Sequence, residues 1–146
     1  MALELEVISK KVGAESHIHE TSLTLVDGTF NVLLGSTLAG KTTLMQLMAG
    51  IQKPTAGTIR FRGKDVTGVP VQRRNVSMVY QQFINYPNYS VFENIASPLR
   101  VAGMTASEIE ARVGKAAELL RLSPMLKRRP NELSGGQQQR TAIARA

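Results

Sequence analysis

The chain has 146 residues, 42% of them hydrophobic and 20% charged, so a folded domain with a buried core is expected and wholesale disorder is excluded. Lysine and arginine number 18 against 11 acidic residues, a net +7, and the absence of cysteine excludes disulfide frameworks, thiolate zinc sites and thiol nucleophiles. No run approaches the roughly 18 apolar residues of a membrane span, and the opening MALELEVISKK has no apolar signal core, so a cytosolic location is the default expectation.

Leu3, Leu5 and Val7 alternate with Glu4 and Glu6, the period of a half-buried strand. Residues 23–26 continue such a pattern and end at the turn dipeptide Asp27-Gly28. Residues 29–34 form a short apolar β run, expected to be a strand buried on both faces. Residues 41–49 read as a helix with Leu44, Leu47, Met48 and Ile51 at helical spacing and Gly50 at its end. Pro54-Thr55-Ala56-Gly57 is turn material, Ile59 and Phe61 mark a further strand, and residues 75–80 are a second β-rich run. Ser90-Val91-Phe92-Glu93 and Thr105-Ala106-Ser107-Glu108 both fit the capping box. The second opens a helix with Ile109, Val113, Ala116 and Leu120 on one face. Strands precede a helical half, so the class is α/β.

The positive charge is unevenly placed. Residues 61–146 hold 13 of the bases against 6 acids, and the densest cluster, Lys127-Arg128-Arg129, has no interleaved aromatics. Stacking on nucleic-acid bases is therefore not expected, and the cluster reads as a solvated face.

Gly35-Ser36-Thr37-Leu38-Ala39-Gly40-Lys41-Thr42 fits G-x-x-x-x-G-K-[ST]. In this pattern the loop N–H groups form an anion nest and the following helix adds its N-terminal donors and positive dipole. Lys41 is placed to reach β- and γ-phosphates, and the Thr42 hydroxyl to ligate Mg²⁺. The competing reading is a loop whose glycines merely turn the chain. Downstream, Leu133-Ser134-Gly135-Gly136-Gln137 precedes Gln138-Gln139-Arg140. Ser134 suits a helix N-cap, and the two glycines bare the backbone N–H groups, a second phosphate-directed helix start.

A phosphate loop followed 93 residues later by LSGGQ resembles the ATP-binding-cassette (ABC) family of ATPases over nearly the whole chain. The resemblance implies a P-loop NTPase core with a helical subdomain, two ATPase subunits sandwiching ATP and Mg²⁺ head to tail, and coupling to transmembrane permease subunits on the inner face of the plasma membrane. It implies phosphate contacts from Gly35, Ser36, Thr37, Leu38, Ala39, Gly40, Lys41, Thr42 and Thr43. Ser134, Gly135, Gly136 and Gln137 would meet the nucleotide of the other subunit. Gln81, after Val79-Tyr80, stands at the family's Q-loop, which implies an approach to Mg²⁺ and the attacking water and a relay to the permease. Tyr86-Pro87 and Ser90-Val91-Phe92-Glu93-Asn94 resemble ATPases of carbohydrate-type importers. Residues 82–87 with Leu38 most resemble a branch serving glycerol and related polyols.

Departures from the family are equally specific. Position 38, usually Gly, is Leu, which costs on the order of 1 kcal/mol if the backbone there needs positive φ. Val12 aligns with an aromatic that stacks on adenine and offers apolar contact without a π-face. His17 and His19 precede the phosphate loop, so neither matches the family's switch histidine, and their spacing reads as surface rather than a metal pair. The Walker B Asp, catalytic Glu and switch His that the family carries after LSGGQ are not among these 146 residues. The expectation is an N-terminal portion of a longer ATPase: an ATP-binding core over 1–85, a helical subdomain over 86–146, no complete second domain, and little hydrolysis without the general base. A soluble ABC ATPase not tied to transport is the nearest rival. A charge-driven nucleic-acid module or a small P-loop GTPase or kinase leaves LSGGQ without a purpose.

Overall fold

The apolar–acidic alternation near the start folds into strand β1, Leu3–Val12. The structure, a computed structural model, describes residues 3–146. Gly13, at φ +60°, turns the chain into β2, Glu15–Leu25, and Val12 pairs with Glu15 across the hairpin. The alternation does not run through Val7 as expected. Val7 sits at φ +47° in a register break between Leu5 and Ile8, so Leu5 and Ile8 share the buried face and Val7 is exposed. A bulge of this kind adds one residue to a strand and inverts the side-chain order beyond it.

Strand β3, Ala56–Phe61, pairs antiparallel with β1, and β4, Lys64–Asp65, extends the sheet in the order β2-β1-β3-β4. Gly57, at φ +90°, faces the bulge. A methyl group there would stand 2.4 Å from the Val7 carbonyl oxygen and 2.5 Å from the Ile8 Cα, so only glycine lets the two backbones approach this closely. Helix α1, Lys41–Ala49, lays Leu44 and Leu47 on Leu5, Ile8, Ile18 and Ile59, which together form the first core. Gly50, at φ +78°, ends α1.

Arg74 closes the C-terminal end of α1 from a distance in sequence. Its guanidinium is buried and donates to the carbonyls of Leu47 and Met48 on α1 and of Val66, Thr67 and Val69. The helix therefore receives at its negative end a cation that its own last turn lacks.

Two expected strands are not formed. Residues 29–34 carry no ladder, and Phe30, Val32 and Leu34 are exposed. Residues 75–80 carry none either, and Val76 and Val79 are exposed. The physical reason is the same for both. A strand exists through its ladder partner, and neither run has one among the described residues.

The chain divides into two compact units between Ser77 and Met78. The second unit is helical: α2, Val91–Val101; α3, Ala106–Leu119; and α4, Gly135–Arg145. Both expected capping boxes are present, Ser90 with Glu93 and Thr105 with Glu108, and Ser134 with Gln137 makes a third on α4. Pro98 lies inside α2 and cannot donate to the Asn94 carbonyl, and the Ser97 hydroxyl donates there instead at 2.8 Å. Val91, Ile95, Ile109, Val113, Ala117, Leu122 and Leu133 form the second core.

Candidate functional site

The four α-helices treat their N-terminal donors differently. The first N–H groups of a helix have no intrahelical partner and need an acceptor from elsewhere. Helices α2, α3 and α4 each meet this need with a complete capping box, and α2 adds the carbonyls of Arg128 and Leu126 as acceptors for Val91 and Phe92. Helix α1 starts at Gly40, in the left-handed region at φ +80°, with no side-chain cap and no acidic residue in its first turn. An oxyanion suits that start better than any side chain nearby.

The loop before α1 is shaped around the same point. The Ala39 N–H donates to the Ser36 carbonyl at 3.3 Å, a tight turn. The Lys41 ammonium folds back to donate to the carbonyls of Gly35, at 2.8 Å, and Ser36, at 2.5 Å. A methyl group on Gly40 would lie 2.7 Å from Ile18 Cδ1 and 3.0 Å from the His17 carbonyl oxygen, so packing on β2 as well as φ requires glycine there. Leu38 adopts φ +68° with its side chain fully in solvent. The condition under which Leu costs energy at this position is therefore met. Thr42 is exposed on the first turn and Thr43 half-buried beside it. A cleft of about 250 Å³ adjoins Gly40 and Lys41, with His17, Ile18 and His19 along one wall. Val12 lies exposed at the end of the β1–β2 hairpin. The arrangement offers an anion helix-start donors, an ammonium held at the loop's mouth and a hydroxyl.

The second unit holds Gln81 and the LSGGQ segment. Ser134 Oγ accepts from the Gln137 N–H at 3.4 Å, and Gln137 Oε1 accepts from the Ser134 N–H at 2.8 Å. These two side chains thus cap their own helix. Gly136 is exposed, and a methyl group there would meet nothing within 4 Å. The chain's own packing gives no reason for glycine at 136, whereas close approach of an outside group would. At Gly135 the nearest neighbour to such a methyl is the Phe83 ring, at 3.9 Å, so the segment after Gln81 lies against the LSGGQ helix start.

Sequence reasoning missed three residues that build this second region. Asn94 is fully buried, accepts from the Tyr86 N–H at 2.8 Å and donates toward the carbonyls of Tyr86, Tyr89 and Ser90. Gln138 donates to the carbonyls of Pro130 and Leu133. Asn85 donates to the Gln138 carbonyl at 3.0 Å. Asn94 had a sequence signal, a polar residue on the apolar face of Val91 and Ile95, which is weak by itself; Asn85, outside any helix, and Gln138, on a polar one, had none. Among the described residues no group of three His, Asp or Glu side chains could hold a metal ion, and His17 approaches only Glu15, at 3.9 Å.

The sequence profile of the family described as ABC transporter matches residues 18–146, and the chain belongs to that family. Its fold is that of an ABC ATPase of the P-loop NTPase class. The dimeric bacterial ABC transporter cassette MJ0796 superposes with a TM-score of 0.87 at 28% identity, over 98% of this chain and 68% of that one. The same cassette in a post-hydrolysis state bound to ADP and Pi gives 0.86.

Among curated relatives, the spermidine/putrescine import ATP-binding protein PotA of Rubrobacter xylanophilus is 42% identical over 146 residues, all of this chain and 39% of the relative. PotA of Pseudomonas aeruginosa is 44% identical over 144 residues, 99% of this chain and 40% of the relative. The chain thus spans about two-fifths of the length of the curated relatives it matches.

Proposed function

We propose that the chain is the ATP-binding part of the ATPase subunit of an ABC importer. The observation that carries this reading is the contrast between helix starts. Helix α1 alone of the four is uncapped, and it begins at a glycine loop with the Lys41 ammonium at its mouth.

In this reading the backbone from Gly35 to Thr43 holds the phosphates of ATP. Lys41 exchanges the loop carbonyls for β- and γ-phosphate oxygens. Thr42 is the Mg²⁺ ligand from the phosphate loop, Gln81 takes the Q-loop role of approaching Mg²⁺ and the attacking water, and Val12 lies against the adenine. Ser134, Gly135, Gly136 and Gln137 face the γ-phosphate held by a second ATPase subunit, with Gly136 permitting the approach. Charge developing on each phosphate is met by Lys41 of the subunit that holds it and by the start of α4 from the second subunit. Mg-bound ATP supplies the phosphoryl group that water attacks in the whole protein. Residues 1–85 serve as the nucleotide core and 86–146 as the helical subdomain. Transmembrane permease subunits are the partners, contacted through residues 81–89, and they hold the subunit at the cytoplasmic face of the membrane. Among the described residues no helix is long and apolar enough to cross a membrane.

For the solute, the names of the relatives favour a polyamine. Residues 82–87 with Leu38 favour the polyol reading drawn from the sequence, which the relatives named above do not carry. Uptake of labelled spermidine and labelled glycerol by the whole transporter, with and without Lys41→Ala, separates the two. Spermidine uptake lost in the variant supports the polyamine reading, and glycerol uptake lost instead supports the polyol one. Uptake indifferent to Lys41→Ala contradicts the importer reading and favours an ABC ATPase not tied to transport.

A further inference from the structure

Residues 82–89 have no regular secondary structure, yet they are fastened at both ends of a short path across α4. One fastening is to α2. The Asn94 amide, fully buried, closes residues 86–90 into a fixed loop through the Tyr86 N–H and the carbonyls of Tyr86, Tyr89 and Ser90. The other is to α4. Asn85 Nδ2 donates to the Gln138 carbonyl, and the Arg145 guanidinium lies over the Tyr86 ring, 4.8 Å from its centroid. Tyr89 packs on Tyr86 with ring centroids 5.3 Å apart. Gln138 and Arg145 are seven positions apart, two turns of one helix face, so adjacent residues 85 and 86 grip α4 at two heights. Phe83 lies beside Gly135 at the start of the same helix.

We propose that Asn85, Tyr86 and Arg145 form a clasp, with Asn94 as its positioning residue, that makes residues 82–89 and α4 move as one body. The proposal rests on the reading above, in which the start of α4 meets nucleotide and residues 81–89 meet the permease. A displacement imposed at Ser134 to Gln137 then reaches the permease-facing segment without slack. Cation–π and amide contacts suit this role, because they hold a loop of no regular structure in one geometry.

The test is hydrogen–deuterium exchange on the whole protein, with and without the magnesium complex of a non-hydrolysable ATP analogue. Tyr86→Leu and Arg145→Gln remove the clasp, and Tyr86→Phe and Arg145→Lys keep a ring and a cation. In the parent, the amides of Tyr86, Asn88 and Tyr89 and those of α4 should change protection together on nucleotide addition, by about threefold or more. In Tyr86→Leu and Arg145→Gln, α4 should still respond while residues 86–89 do not. The two conservative variants should behave as the parent. Amides of Val113 and Ala117 on α3 should be unchanged throughout, which separates loss of the clasp from general loosening of the unit. Joint response in the clasp-free variants overturns the proposal. If α4 does not respond in the parent although nucleotide binds, the assigned role of LSGGQ fails. The clasp is then judged without nucleotide. The Tyr89 amide, which donates to the Tyr86 carbonyl at 3.2 Å, should exchange about fivefold faster in both clasp-free variants, and unchanged exchange refutes the clasp.

Discussion

Replacing Arg74 should loosen the end of α1 selectively. Arg74→Met keeps the aliphatic stem and removes a guanidinium that donates to five carbonyls, two of them on α1. Charged hydrogen bonds are worth about 1.5–3 kcal/mol each, but they are not additive, and water can replace some partners in the loop. The interaction of a cation with the helix end adds about 0.5–1 kcal/mol. Against these stands the cost of burying the group, which also pushes its pKa down from the ordinary arginine value. The net loss is about 2–4 kcal/mol. Gly50→Ala should act partly on the same contact, since its methyl group would stand within 3 Å of the Arg74 guanidinium and in the left-handed region besides. The two losses should therefore overlap, so that the double variant loses less than the sum. The assay is native-state hydrogen exchange at the amides of Leu47, Gly50 and Ile51, which reports α1 without relying on one transition for both units. Arg74→Lys, with three donors instead of a fork, should fall between. A loss below about 0.5 kcal/mol in Arg74→Met, or strict additivity with Gly50→Ala, refutes the assigned role of Arg74.

Three further outcomes follow from local geometry. Gly57→Ala should separate β3 from β1 at the Val7 bulge and cost about 3 kcal/mol or more, read by faster exchange along β1, because the three nearest atoms its methyl would meet are all backbone. Leu38→Gly should relieve about 1 kcal/mol of left-handed strain, partly offset by glycine's entropy, and tighten binding of a fluorescent ATP analogue up to about fivefold, whereas β-branched Leu38→Val should weaken it. Hydrogen bonds from the backbone and then the hydroxyl of Ser90 hold the Glu93 carboxyl below its usual value of 4.5, and Thr105 does the same for Glu108. A depressed folded-state pKa gives stability that is complete above the unfolded value and lost as pH falls through the folded one. Protection of α2 and α3 should therefore fall on acidification below about pH 4.5, and Glu93→Gln should flatten that slope for α2 while leaving α3 unchanged.

What the sequence made legible was local. The boxes at Ser90 and Thr105, the N-cap at Ser134, the left-handed end at Gly50 and the extent of α1 each depend on residues within one turn of one another. The turn before α1, with its left-handed Gly40, was legible for the same reason. The bulge at Val7 was not, because Leu3, Leu5 and Val7 alternate as well as Leu3, Leu5 and Ile8 would after a break. The choice is made by Gly57, fifty residues away, whose missing side chain lets the bulge fit. Arg74 was illegible because its acceptors come from α1 and from the turn that follows β4. Residues 29–34 and 75–80 show the reverse failure. Their composition is that of strands, but composition does not supply a ladder partner. At the LSGGQ segment, Ser134 and Gln137 were read as facing nucleotide, and the structure shows that each first serves its own helix.

The central claim is that the loop from Gly35 to Thr43 and the start of α1 form an anion site served by Lys41. Calorimetric titration of this chain with ATP and Mg²⁺, beside Lys41→Ala and with inorganic tripolyphosphate as a second ligand, tests it most directly. The account predicts that both ligands bind the parent and that Lys41→Ala weakens both by about tenfold or more, as loss of a charged hydrogen bond to phosphate requires. Binding unchanged in Lys41→Ala, or no binding of either ligand to the parent, contradicts it.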